Sequence, residues 1–160
     1  EAVIVLDALA IEALAGLSSV AGDRHGHLLL TPNREELRSL LGDEDDDDDG
    51  DDDAERPAAV AAVRHGAAVV SFECVGAADG RVWIDPSEVR GLGTSGAGDV
   101  LAGVAGGLAG RCGDAAQAAC WAAVTHRLAA QRLSQSVAPI GYLARQLADE
   151  VAPALAEITG

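Results

Sequence analysis

Three short apolar runs constrain this chain more than any other feature: "AVIVLD" (residues 2–7), "HLLLT" (residues 27–31) and "AAVVSF" (residues 67–72). None of them alternates with polar residues, so each reads as a strand buried on both faces, the pattern of a parallel sheet covered by helices on either side. Helical periodicity follows the first two. "ALAIEALAGL" continues directly from Asp7, and "TPNREELRSLLG" stops the second strand at Thr-Pro before starting a helix. There Asn33 is the expected N-cap with Glu36 three residues on, Leu37, Leu40 and Leu41 share one face, and Gly42 ends the helix. "AERPAAVAAVRHG" reads as a helix closed by Gly66 just ahead of the third strand, and "RVWID" after the turn "ADG" as a further strand. Helices are expected at about 97–108, 114–133 and 139–158. Strands alternating with helices, then a helical tail, indicate one α/β layer domain over residues 1–160 with a largely parallel sheet.

Composition narrows the chemistry. With 160 residues, 49% of them hydrophobic, the chain can build one real core. It contains no lysine, so all eleven basic residues are arginines, which excludes a Walker-type phosphate loop and Schiff-base catalysis. The net charge is −15, yet ten acids fall within "DEDDDDDGDDD" (residues 43–53), and without them it is −5. That tract cannot bury anything and repels itself, so it reads as a disordered, solvated loop; it lacks the ligand alternation and closing glutamate of a calcium-binding loop. With no basic stripe and four aromatic residues, the chain is not expected to bind nucleic acid. Cys74, Cys112 and Cys120 are odd in number and show neither disulfide nor zinc spacing, and His25, His27 and His65 lack ligand spacing, so no metal site of the protein's own is expected. No leader and no apolar run of about 18 residues opens a route to secretion or a membrane, and a reducing cytoplasm is the expected setting. The chain opens abruptly on a strand, which suggests a start inside a larger fold.

The stretch most suggestive of function is "GLGTSGAGDVLAG" (residues 91–103). Glycines ahead of a helix let the backbone aim free N–H groups at one point, and the helix dipole adds roughly half a positive charge there. Thr94, Ser95, Gly96, Ala97 and Gly98 thus make an anion cradle without lysine. Asp99 falls in the first helical turn beside it, where it can take a proton from a hydroxyl while a phosphoryl group is transferred. The plainer reading is that Asp99 caps the helix and the glycines serve packing. Gly103, Gly106 and Gly107 each cost the helix about 1 kcal/mol relative to alanine, which points to close backbone packing and a rigidly held N-terminus. His126, Trp83 and Trp121 read as packing residues.

"GLGTSGAGDVLAGVAGGLAG" resembles the glycine-aspartate signature of the ribokinase-like superfamily, and "DVLAG" is similar to its NAD(P)H-hydrate dehydratase branch. "VIVLDALAIEALA", "LLLTPNREELRSLLG" and the stretch from "AACWAAVTHRLA" to "ADEVAPAL" resemble other segments of that branch, in the required order. The resemblance implies a three-layer α/β/α domain with C-terminal helices, of which this chain is the C-terminal portion. It implies repair of hydrated nicotinamide nucleotides: ADP or ATP, with Mg2+, phosphorylates the added hydroxyl, and elimination restores the ring. Asp99 would be the base or a substrate contact, residues 94–98 would hold the donor's phosphates, and Asn33 and Glu36 would touch the hydrate. A small-molecule hydroxyl kinase and a truncated, non-catalytic subunit are the alternatives, and a homo-oligomer is possible. The sequence departs from the family in "VVSFECVGAADG", which lacks the usual Lys-Gly or Gly-Gly pair before the nucleotide loop, and in Arg34-Glu35 after Asn33.

Overall fold

The computed structural model describes residues 2–15, 24–42, 56–71, 74–86 and 89–160. The acidic tract at 43–53, Phe72 of the third apolar run, and the end of the first expected helix lie outside the described residues. A five-stranded sheet runs in the order β1 (Ile4–Leu6), β2 (Leu28–Leu30), β3 (Ala67–Ser71), β4 (Cys74–Gly76), β5 (Val82–Ile84). The first three strands are parallel, with Leu6, Leu30 and Val69 in register, and β4 and β5 extend the sheet antiparallel. Strand β4 lies between the third apolar run and the turn "ADG", where the sequence reading placed no element.

Each apolar run splits its side chains between two cores. Ile4, Leu6, Leu28, Leu30, Ala67 and Val69 pack on one face with α1 (Leu9–Ala15), α2 (Arg34–Leu41) and α3 (Arg56–His65). Val5, Leu29, Ala68, Val70 and Val75 pack on the other with α4 (Ala97–Cys112) and α5 (Ala115–Ser136). The layers are therefore α/β/α, as expected, and an unbroken apolar strand is what two covered faces require. Leu29 and Leu30 are fully buried on opposite faces, each contributing about 1.5–3 kcal/mol, so Leu29→Ala would cost about 2–5 kcal/mol.

Small residues set the layer spacing. Ala115, Ala118, Ala119 and Ala122 line the buried face of α5 and bring its axis close to the sheet. On the other side, a Cβ at Gly76 would come within 2.7 Å of the Ala58 carbonyl oxygen, so β4 lies directly on the α3 backbone and only glycine fits. Helix α6 (Ala144–Thr159) packs along α5. Together they form a third, smaller cluster from Ala129, Leu133, Tyr142 and Leu147, which also takes in Ala97 at the start of α4. Helices α4 and α6 begin and end within a few residues of expectation except that α4 runs on to Cys112 and α6 starts at Ala144.

Candidate functional site

The three parallel strands end on one side of the sheet, and each apolar run gives way there to a polar residue: Asp7, Thr31 and Ser71. The Thr31 hydroxyl donates to Asp7 Oδ1 at 2.8 Å, tying the ends of β1 and β2 together. Ser71 Oγ donates to the Pro32 carbonyl at 3.3 Å, fixing the loop that leads into α2. Ala8, next to Asp7, has φ of 51°, a left-handed conformation that an alanine adopts only when its surroundings impose it. The chain thus turns sharply from β1 into α1 with Asp7 at the bend.

Above these strand ends lies a cleft of about 410 Å³, lined by Asp7, Thr31, Asn33, Glu36, Asp99 and His126 among others. The carboxyl ends of parallel strands are where open α/β sheets hold ligands. Two helices start on its rim. At α2, Asn33 Oδ1 accepts the N–H groups of Glu35 and Glu36 at 2.8 and 3.0 Å, and Glu36 Oε2 accepts the N–H of Asn33 at 2.9 Å. This is the capping box read from the sequence, and it commits both side chains to the helix start. At α4 the cap is Gly96, with φ of 86° and no side-chain hydrogen bond to the helix. The first amides of any helix lack an intrahelical partner, and among the described residues no side chain caps those at Gly98 and Asp99. A Cβ built on Gly98 would meet nothing within 4 Å, so the space over that turn is open.

The cleft wall behind α4 is His126, 7% exposed, whose Nε2–H donates to the Ala97 carbonyl at 2.9 Å. Burial pushes its pKa down to about 4, with the Arg127 charge adding to the fall and the bond to Ala97 opposing it, so the ring is neutral near pH 7.

A larger groove of about 600 Å³ runs between α4 and α6 past Val100, Gly103, Val104, Val151 and Leu155, with Asp99 at one end and Arg111 also on its wall. It is almost wholly apolar, whereas polar side chains converge in the strand-end cleft.

Of the residues picked from the sequence, Gly96, Ala97, Gly98, Asp99, Asn33 and Glu36 all line one cleft. Thr94 and Ser95 precede it in the turn, where the Thr94 carbonyl accepts the N–H of Ala97 at 3.1 Å. Asp7, Thr31 and Ser71 were not picked, and the signal for them was the shared position of a polar residue closing each apolar run. His126 was read as packing and proves to do so on the cleft wall. Among the described residues no group of three or more His, Cys, Asp or Glu could hold a metal ion, and no helix is long and apolar enough to cross a membrane.

Fold and site together define a class: a three-layer α/β/α protein with an uncapped helix N-terminus and an adjoining carboxylate at the carboxyl ends of its strands. Residues 1–153 match the family described as NAD(P)H-hydrate dehydratase, and the chain belongs to that family. It is 36% identical over 125 residues to the ADP-dependent (S)-NAD(P)H-hydrate dehydratase of Xanthomonas campestris pv. campestris, a match covering 77% of this chain and 43% of the relative. With the enzyme of the same name from Neisseria meningitidis serogroup B it shares 34% identity over 158 residues, covering 94% of this chain and 51% of that one. The structure of Bacillus subtilis YxkO, a member of the UPF0031 family, superposes with a TM-score of 0.77 at 20% identity, covering 97% of this chain and 56% of that one. The chain therefore spans about half the length of these three relatives.

Proposed function

We propose that this cleft serves nucleotide-dependent dehydration of NAD(P)H hydrate, and the observation that carries the reading is the contrast of an uncapped α4 with a carboxylate, Asp99, in its first turn. The uncapped amides and the helix dipole receive the donor's phosphates, in the manner of phosphate sites at helix N-termini. Residues 94–98 hold the donor, and Asn33, Glu36 and Asp99 bound the space for the hydrate. ADP is the favoured donor, since the relatives quoted above are named as ADP-dependent.

In the first step the hydroxyl oxygen of the hydrate bonds to the donor's terminal phosphorus, the bond from that phosphorus to the nucleotide oxygen breaks, and Asp99 accepts the hydroxyl proton. In the second, the carbon–oxygen bond breaks, phosphate leaves with that bond's electron pair, and a proton passes from the neighbouring carbon to water, which restores the double bond. Asp7, held by Thr31 at 2.8 Å, supplies a second carboxylate on the cleft floor. Mg2+ fits as a companion of the donor's phosphates: such ions need only one or two protein carboxylates, and Asp7 and Asp99 both face the cleft. When bound it would neutralise charge on the phosphoryl oxygens. The reaction suits a cytoplasmic setting, where its nucleotide substrates are found.

The test is to incubate this chain with NADH hydrate, ADP and Mg2+ and to follow the products by mass spectrometry. The proposal expects NADH, AMP and phosphate in equal amounts. Accumulation of a phosphorylated hydrate without NADH would mark a hydroxyl kinase, and no product at all a non-catalytic homologue.

A further inference from the structure

Two consecutive residues of α5 hold the two sides of the glycine turn. His126 binds the Ala97 carbonyl at 2.9 Å, on the first residue of α4. Arg127, with its side chain 7% exposed, directs Nη1 to both the carbonyl and the carboxylate of Asp85, each at 2.6 Å, where the chain leaves β5. Neighbouring side chains on a helix diverge, so one short stretch of α5 reaches two separate segments. Between these grips Gly91 is buried against Tyr142, whose ring would overlap any Cβ placed there. Tyr142 in turn packs with Ala97, Leu133 and Leu147.

A buried guanidinium and a buried imidazole are costly ways to fill a core, since apolar residues of similar volume often do as well or better. Here both aim hydrogen bonds at main-chain carbonyls on either side of the turn. We infer that the His126–Arg127 pair is the positioning device of the phosphate cradle, holding the exit of β5 and the first turn of α4 at a fixed separation so that the donor meets preformed amides. This rests on the reading of the α4 start as the donor's site. A hydrogen-bond donor set by geometry fixes the backbone more tightly than packing alone, and a displacement of about 1 Å in a binding group can cost about a hundredfold in rate.

The test uses the whole 160-residue chain and two readouts: hydrogen exchange of the amides in residues 89–100, and ADP affinity by calorimetry. His126→Phe and Arg127→Met should each speed exchange in that stretch alone and weaken ADP binding about tenfold, while His126→Gln, which keeps a donor, should restore most of both. If Arg127→Met fails to fold, Arg127→Lys keeps the charge, has a shorter reach to the Asp85 oxygens, and should show the same local effect in weaker form. Exchange rising evenly through the chain, or unchanged in residues 89–100, would overturn the inference. A parent that binds no ADP would overturn the nucleotide reading alone, leaving the exchange pattern to decide the positioning role.

Discussion

Helices α2 and α4 begin on the rim of the same cleft, yet their first turns are finished in opposite ways. α2 satisfies its own amides: Asn33 and Glu36 bond each other's backbone in a closed box. α4 starts at a left-handed glycine with no capping side chain and is secured from behind, through His126 and the apolar cluster around Tyr142. A cap removes the need for a ligand, whereas an uncapped end held in place by its neighbours keeps its amides for one. On the proposed reading the two helix starts have different tasks: α2 shapes the cleft and α4 binds in it.

The sharpest way to break this contrast is at the carboxylate beside the uncapped end. Asp99→Asn keeps size while abolishing the base, and turnover of NADH hydrate should fall about 100- to 10,000-fold. A rate within threefold of the parent would reduce Asp99 to a helix-end residue. Acid probes the support behind α4. His126 has its pKa pushed down to about 4 in the folded protein against about 6.5 unfolded, so the stability it confers is complete above pH 6.5 and lost as pH falls toward 4. The loss should approach about 3 kcal/mol, measured as the part of the denaturation pH slope that disappears in His126→Gln.

Backbone changes at the caps come next. Gly96→Ala forces a side chain into a φ of 86° and within 3.0 Å of the Ala144 Cβ, so unfolding free energy should drop by about 2 kcal/mol. Asn33→Ala removes only a cap and should cost about 1 kcal/mol in thermal unfolding, with ADP affinity unchanged. An equal loss of affinity there would erase the distinction between the two helix starts.

Much of this arrangement is legible in the sequence because it is local. Apolar runs without alternation announce a sheet covered on both faces, Asn33 and Glu36 announce a capping box, and the glycines around Ala97 announce an uncapped turn. Strand β4 is not legible: Cys74, Val75 and Gly76 are three residues whose strand character comes from pairing with β3 and β5 and from the close approach to α3. Likewise Asp7, Thr31 and Ser71 lie far apart in the chain, and only the shared register of parallel strands brings them to one floor. His126 looks like an ordinary helix residue until the crossing of α5 behind α4 turns it to the Ala97 carbonyl.

The central claim is that the α4 start is an anion site and the α2 start is not, and titration of ADP into paired variants tests it most directly. Gly98→Val places a side chain in open space at the first turn of α4, so the fold should survive while, on the proposed reading, ADP binds more than tenfold more weakly, a loss of over about 1.4 kcal/mol. Asn33→Ala should titrate like the parent. Equal ADP affinity in parent and in folded Gly98→Val would contradict the account.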